Sequence, residues 1–386
     1  MMALPQATPV RFIHTSDWQL GMTRHFLSPE AQARYSEARL EAIREIAKLA
    51  ETDGCAFVVV SGDVFDSNHL DRQVVVRALD AMSSFTVPLF LLPANHDPAN
   101  AASVYHSSTF LDHRPESLIV LDTFEPVAVP GTNVEVVGAP WDSKQPLEDL
   151  VAKACAGLTP PEAALRVLVA HGAVDEGNPD QQNPSLIRVA SAREALGSGL
   201  IHYLALGDRH SVTRVESGDR IWYSGTPLVT DFTENDPNKV LLVDLDGESI
   251  NIDARQVGFW VFLQESFHVN NREEVDAVAA WLEAVADKRS AVVKLSFVGT
   301  LNLTEKAHLD EALDHYSDLF AALETWERHT DLVVIPDEQD LVDLHLTGFA
   351  AETLEDLREQ ARSDGEAGQV AQDALSLLFR LAGAGS

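Results

Sequence analysis

Five short apolar runs, each stopping abruptly at a cluster of ionisable or amide side chains, restrict this chain to few architectures. VRFIHTSDWQ runs into Asp17 and Gln19, CAFVVVSGDVFD into Asp63 and Asp66, and VPLFLLPANHD into Asn95, His96 and Asp97. RVLVAHG stops at His171, and HYLALGDRH at Asp208 and His210. Runs this short, rich in β-branched residues and closed by Gly, Pro, Ser or Thr, are those of strands covered on both faces. Between them lie helical stretches such as Pro29–Glu51, where Ala33, Ala38, Leu40, Ile43, Ala47 and Leu49 fall near one face. The pattern predicts an α/β fold whose polar groups gather at strand C-terminal ends, on one rim of a sheet, where ligand sites of such folds lie.

Several carboxylates held together repel one another and need protons or cations to stay. Carboxylate, amide oxygen and imidazole donors together suit a hard or borderline divalent ion: Mn²⁺ first, then Mg²⁺, with Zn²⁺ or Fe²⁺ behind them. The set is large enough for two ions, and Asp63 is the best placed to bridge them. Composition sharpens this. A formal charge of -32 gives the chain no overall field that attracts phosphate. A phosphate substrate must therefore meet a local site of reversed sign, which bound divalent cations provide.

Taken in order, SDWQLG, SGDVFD, ANHD, the lone AHG and GDRH resemble the five motifs of the calcineurin-like metallophosphoesterases. HTSDWQLG, SGDVFD and the later YSGTPLVTDF are most similar to the SbcD family of bacterial DNA-repair nucleases. The resemblance covers Val10 to Gly258 and implies a two-sheet sandwich flanked by helices. It implies two metal ions, one held by Asp17, Asp63 and His210, with Gln19 where the family normally has His. The other would take Asp63, Asn95 and His171, with Asp208 where a first His of the final pair is usual. Both departures replace nitrogen by oxygen, which favours Mn²⁺ or Mg²⁺ over Zn²⁺. The pair would activate a water for in-line attack on phosphorus. His96 would serve at the leaving oxygen, and Asp97 would orient it or cap a helix beginning PANAAS. His14, inside the first strand, reads as a core histidine, and Trp18 as packing beneath the site.

Three sections follow from the change of pattern. Residues 1–258 form the metallophosphoesterase domain. Residues 259–346 read as a smaller α+β unit, which by resemblance is a capping domain: strand Phe259–Val269, helix Arg272–Asp287, strand Ala291–Val298, helix Glu305–Leu323, strand Asp331–Ile335. Residues 347–386 read as a helical tail with Thr347 as N-cap and an apolar stripe of Val370, Ala374, Leu377, Leu378 and Leu381. That stripe packs on its own domain or docks a partner, which by resemblance is an SbcC-like coiled-coil ATPase. The resemblance implies a homodimer too, with Gln73–Phe85 or Ala101–Leu111 as its interface, although each segment reads equally as ordinary amphipathic packing. No run reaches the roughly 18 apolar residues of a membrane span. The N-terminus lacks the order of a secretory signal, and Cys55 and Cys155 lack metal spacing. A cytoplasmic DNA-repair and recombination exonuclease or endonuclease is the expectation. The alternatives are a small-molecule phosphodiesterase or phosphatase, favoured by the acidity, and a weakly catalytic scaffold that recruits an ATPase.

Overall fold

The computed structural model describes residues 9–161, 164–215, 219–246, 248–335 and 349–361, together with Ser363, Gly365, Ala367, Gly368, Val370, Ala371, Ala374 and Leu375. The chain divides into two compact units, one built from residues up to His25 and Gln32–Trp260, the other from Phe26–Ala31 and Val261 onward.

The first unit begins β1 (Val10–Thr15), α1 (Pro29–Thr52), β2 (Phe57–Val60), α2 (Arg72–Met82), β3 (Leu89–Leu91), α3 (Ser108–His113) and β4 (Leu118–Val120). It continues through β5 (Val127–Ala128), β6 (Val134–Gly138), α4 (Leu150–Ala156), β7 (Leu165–His171), α5 (Val189–Gly197) and β8 (Tyr203–Gly207). It closes with β9 (Thr213–Arg214), β10 (Ile221–Tyr223), β11 (Lys239–Leu245) and β12 (Ile250–Gln256). Two six-stranded sheets result, ordered β12-β11-β1-β2-β3-β4 and β5-β6-β7-β8-β10-β9. The stretch Ala101–Leu111 holds only a 3-10 turn, Val104–His106, and the start of α3.

Period-two alternation explains why the strands are apolar throughout. Phe12, Phe57, Val59 and Phe90 of the first sheet meet Val136, Val167, Val169, Tyr203 and Ala205 of the second in one buried layer. Phe12 stacks on Phe57 at 4.7 Å between ring centroids. The opposite faces are covered by helices. Ile13, Val58 and Val60 pack under Ile43, Ile46, Leu79 and Phe110; Leu168, Ala170, Leu204 and Leu206 pack under Val151, Ala154, Ala192 and Ala195. The mixed α/β sandwich expected from the sequence is therefore the fold. One detail differs: the five polar strand ends belong to two sheets, three to the first and two to the second, rather than to one sheet's rim.

His14 is a core histidine. Its Nε2 donates to the Leu206 carbonyl at 3.1 Å, and Nδ1 lies 3.0 Å from the Tyr203 hydroxyl, tying the two sheets together. Burial pushes its pKa down to about 3. Above about pH 6.5 the ring is neutral folded or unfolded; below that, only the unfolded chain gains the proton, until the folded ring titrates near 3. Stability should fall by about 2 kcal/mol from this residue alone between pH 6.5 and pH 5. Urea titrations at pH 7.5 and 5 should show a correspondingly smaller loss for His14→Gln; an equal loss would remove His14 as the cause.

The second unit comprises β13 (Val261–His268), α6 (Arg272–Ala284), β14 (Ala291–Leu301), α7 (Leu303–Ser317), β15 (Ala322–Thr325), β16 (Asp331–Val334) and α8 (Phe349–Ala361). The long β14 pairs in parallel with β13 along one edge and with β15 and then β16 along the other. Val275, Val278 and Leu282 of α6 and Leu309 and Tyr316 of α7 bury Val293, Leu295 and Phe297. Asn302 and Glu305 form a reciprocal capping box at the start of α7. The helix expected to run to Leu323 stops at Ser317. Phe320 turns into the core, and Ala322–Thr325 finds hydrogen-bond partners on the free edge of β14 instead. In the tail, Leu354 and Leu375 bury against Leu303 and Val334, whereas Val370 stays exposed. Thr347, Leu377, Leu378 and Leu381 lie outside the described residues.

Candidate metal centre

The loops that leave β1, β2 and β8 bend sharply, and the bends fall on the polar residues themselves. Asp17, Gln19, Asp63 and Asp208 have φ of 54°, 43°, 51° and 100°. A left-handed backbone at a non-glycine residue costs on the order of 1–3 kcal/mol and persists only where its surroundings enforce it. The enforcement is a ladder between the first two loops: Asp17 N donates to Gly62 O, Gln19 N to Asp63 O and Leu20 N to Val64 O, at 2.8–3.0 Å. Thr226 Oγ1 holds the Asp17 carbonyl, and Arg39, itself buried, donates to that of Trp18. Trp18 packs beneath, stacked on Phe85. Close approach fixes two glycines. A Cβ on Gly62 would lie 2.4 Å from His171 Nδ1, and one on Gly207 2.0 Å from the Ser61 carbonyl.

Three imidazoles are pinned alike. His171 Nδ1 donates to Ser61 O at 2.8 Å and His96 Nδ1 to Asp66 O at 2.9 Å, because a carbonyl can only accept. His210 Nδ1 lies 2.6 Å from Thr230 Oγ1 and 2.8 Å from the Glu234 carboxylate, which takes its proton. Each ring thereby turns Nε2 toward the carboxylates. His171 Nε2 is 3.5 Å from Asp63 and 3.8 Å from Asp208; His210 Nε2 is 3.6 Å from Asp17; His96 Nε2 is 3.8 Å from Asp63. Gln19 Nε2 lies 3.2 Å from His210 Nε2. Asp17, Asp63 and His171 offer donor atoms all within 4.8 Å of one another, a group able to hold a metal ion.

The fit to a cation rests on what these atoms lack. Among the described residues, Gln19 Oε1, Asn95 Oδ1 and His171 Nε2 are buried with no hydrogen-bond partner. Such groups are costly unless something binds them, and all three lie at strand C-terminal ends as the carboxylates do: Gln19 after β1, Asn95 after β3 and His171 closing β7. The electrostatics agree. Burial, reinforced by Asp17, pushes the Asp63 carboxyl up to about 7. Burial would lower His171, but Asp63, Asp17 and Asp208 outweigh it and lift the ring to about 9. The same balance raises His210, with Glu234 and Asp17 prevailing over burial. A site that pulls protons this strongly is one in which positive charge is wanted.

The seven expected ligands lie at five strand ends: Asp17 and Gln19 after β1, Asp63 after β2, Asn95 after β3, His171 closing β7, and Asp208 and His210 after β8. His96 stands beside Asp63, its backbone N–H donating to Asp63 Oδ1 at 3.1 Å. Asp97 is engaged elsewhere: its carboxylate accepts from Phe65 N, Ala94 N and the Tyr105 hydroxyl, bracing the second and third loops. The ring of His96 is held by the Asp66 carbonyl instead, and PANAAS forms no helix. Arg24 donates to the Thr230 carbonyl, behind His210. Glu234 escapes the sequence reading because it follows no strand; the signal available was its place just beyond YSGTPLVTDF. Its side chain is 4% exposed and also accepts from Thr230 N. Carboxylates behind ligating histidines govern metal affinity, so Glu234→Gln should weaken Mn²⁺ binding by about 10- to 100-fold in calorimetry. Unchanged affinity would reduce Glu234 to a loop brace.

A family model described as Calcineurin-like phosphoesterase matches residues 10–239. The SbcD component of the SbcCD nuclease of Bacillus subtilis (strain 168) is 24% identical over 257 residues, 58% of this chain and 63% of that protein. This chain thus spans less than two thirds of that relative's length. Among solved structures, TT1561 of Thermus thermophilus aligns at a TM-score of 0.40 and 13% identity, over 65% of this chain and 100% of that one. The purple acid phosphatase PPD1 of yellow lupin aligns at 0.39 and 11%, over 65% of this chain and 52% of that one. A dimetal phosphatase from Danio rerio aligns at 0.39 and 12%, over 63% and 98%.

Proposed function

Because this chain belongs to the calcineurin-like phosphoesterase family, we propose that it hydrolyses phosphodiester bonds of DNA with two divalent cations, Mn²⁺ foremost. The observation that supports the reading is the group of Asp17, Asp63 and Asp208 carboxylates faced by the Nε2 atoms of three pinned imidazoles, one of them the buried, partnerless His171. Asp17, Gln19, Asp63 and His210 would hold one ion; Asp63, Asn95, His171 and Asp208 the other. When bound, such ions polarise phosphoryl oxygens and acidify a neighbouring water. The remaining chemistry belongs to side chains. His96 is held through Nδ1–H by Asp66 O, which leaves Nε2 to meet the leaving oxygen and, in the imidazolium form that carries a second proton there, to pass that proton to it. Asp97 keeps His96 in place indirectly, through the loop backbone on either side.

DNA as the substrate is supported by the similarity to a protein named as part of a nuclease. On the same ground, an SbcC-like ATPase is the partner, residues 259–346 a capping domain and residues 347–386 its docking tail, in a cytoplasmic homodimer. Exposed Phe349 and Val370 supply apolar surface for docking. No helix among the described residues is long and apolar enough to cross a membrane. The charge of -32 favours a second reading, a small-molecule phosphodiesterase. Incubation with Mn²⁺ should degrade linear DNA; cleavage of an aryl phosphodiester with DNA left intact would select the second reading.

A further inference from the structure

Arg209 sits between two of the proposed ligands, Asp208 and His210, and the mechanism so far gives it no task. Its guanidinium carbon lies 5.2 Å from the centroid of the Tyr223 ring, a cation–π contact. That ring is a rigid shelf: it is fully buried, its hydroxyl donates to Gly172 O at 2.9 Å, and it accepts from Val174 N at 3.1 Å. Gly172 directly follows His171, so the shelf is anchored beside the centre. Arg209 also lines an open cavity of about 380 Å³ with Asp208, His210, Ser211, Thr213 and Asn235. Among the described residues nothing accepts a hydrogen bond from its guanidinium, although Asp231 and Glu234 share the cavity wall. In a chain with 60 acidic and 28 basic side chains, an arginine held in place yet unpaired at such a cavity has its donors free for an incoming anion.

Charge gives it a reason. Asp17, Asp63 and Asp208 all face the centre, so two divalent cations would leave one net positive charge to greet an anionic ester. A guanidinium next to Asp208 adds a second, with a planar fork that fits phosphate oxygens. We propose that Arg209 is a substrate-binding residue that grips the phosphate at this cavity, offsetting the charge that Asp208 brings. The inference deepens the phosphoester reading and rests on it for the identity of the anion.

The test uses the full-length, Mn²⁺-loaded protein, with inorganic phosphate in calorimetry and an aryl phosphodiester in steady-state kinetics. Arg209→Gln should raise the phosphate Kd and the ester KM by about 10-fold or more, with kcat and bound Mn²⁺ little changed; Arg209→Lys should fall between. Phosphate binding equal in wild type and Arg209→Gln, or none in wild type, overturns the proposal. Phosphate binding that depends on Arg209 without any ester hydrolysis would uphold the anion site and refute the hydrolase reading instead.

Discussion

Asp63→Ala should lose stoichiometric Mn²⁺ binding and phosphodiester hydrolysis together. Its carboxylate is 3% exposed, 3.5 Å from His171 and 3.8 Å from His96, and it accepts the His96 backbone N–H. It is the one carboxylate assigned to both proposed ions, so its loss removes a bridging negative charge that no neighbour can supply. Asp63→Asn is the sharper variant, because the amide oxygen can still accept from His96 N while the charge is gone. Equilibrium dialysis should show Mn²⁺ retention falling with activity in both variants. Hydrolysis at the wild-type rate in either would show that the bridge assignment is wrong.

His96→Ala should behave in the opposite way toward metal: both ions kept, turnover reduced by about 100-fold or more. The ring is the least enclosed of the three pinned imidazoles, with 38% of its side chain open to solvent. Its Nε2 is 3.8 Å from Asp63, beyond hydrogen-bond reach and free to meet an incoming oxygen. The deficit should concentrate in kcat, since a proton given to the leaving oxygen matters only in the transition state. A leaving group of low pKa, which needs no proton, should narrow the gap between variant and wild type. Near-normal turnover on an ordinary ester would remove His96 from the mechanism.

The strands and the groups at their ends were legible because each is a local pattern: an apolar run, a turn residue, then a polar side chain. What joins them was not. The carbonyls of Ser61 and Asp66 that set the tautomers of His171 and His96 are backbone atoms, and every residue has one. Glu234 reaches His210 from a loop with no periodicity. Adjacency in the chain pairs Asp97 with His96, yet in the fold its oxygens are spent on Phe65, Ala94 and Tyr105. The left-handed turns fall on Asp17, Gln19, Asp63 and Asp208 themselves, residue types that do not announce such a backbone, even where Gly62 and Gly207 stand just before them. The division of the strand ends between two sheets depends on β6–β10 pairing apart from β1–β4. In the second unit, α7 yielded its last residues to β15 because the unpaired edge of β14 offered hydrogen bonds that propensity does not weigh.

The most direct measurement is anomalous diffraction at the manganese edge from crystals grown in Mn²⁺. Two peaks should flank the Asp63 carboxylate, one within ligand distance of Asp17 and His210, the other of Asn95, His171 and Asp208. Density with no peak at Asp63, or with Gln19, Asn95 and His171 turned toward protein partners instead, would contradict the cation centre on which the hydrolase assignment stands.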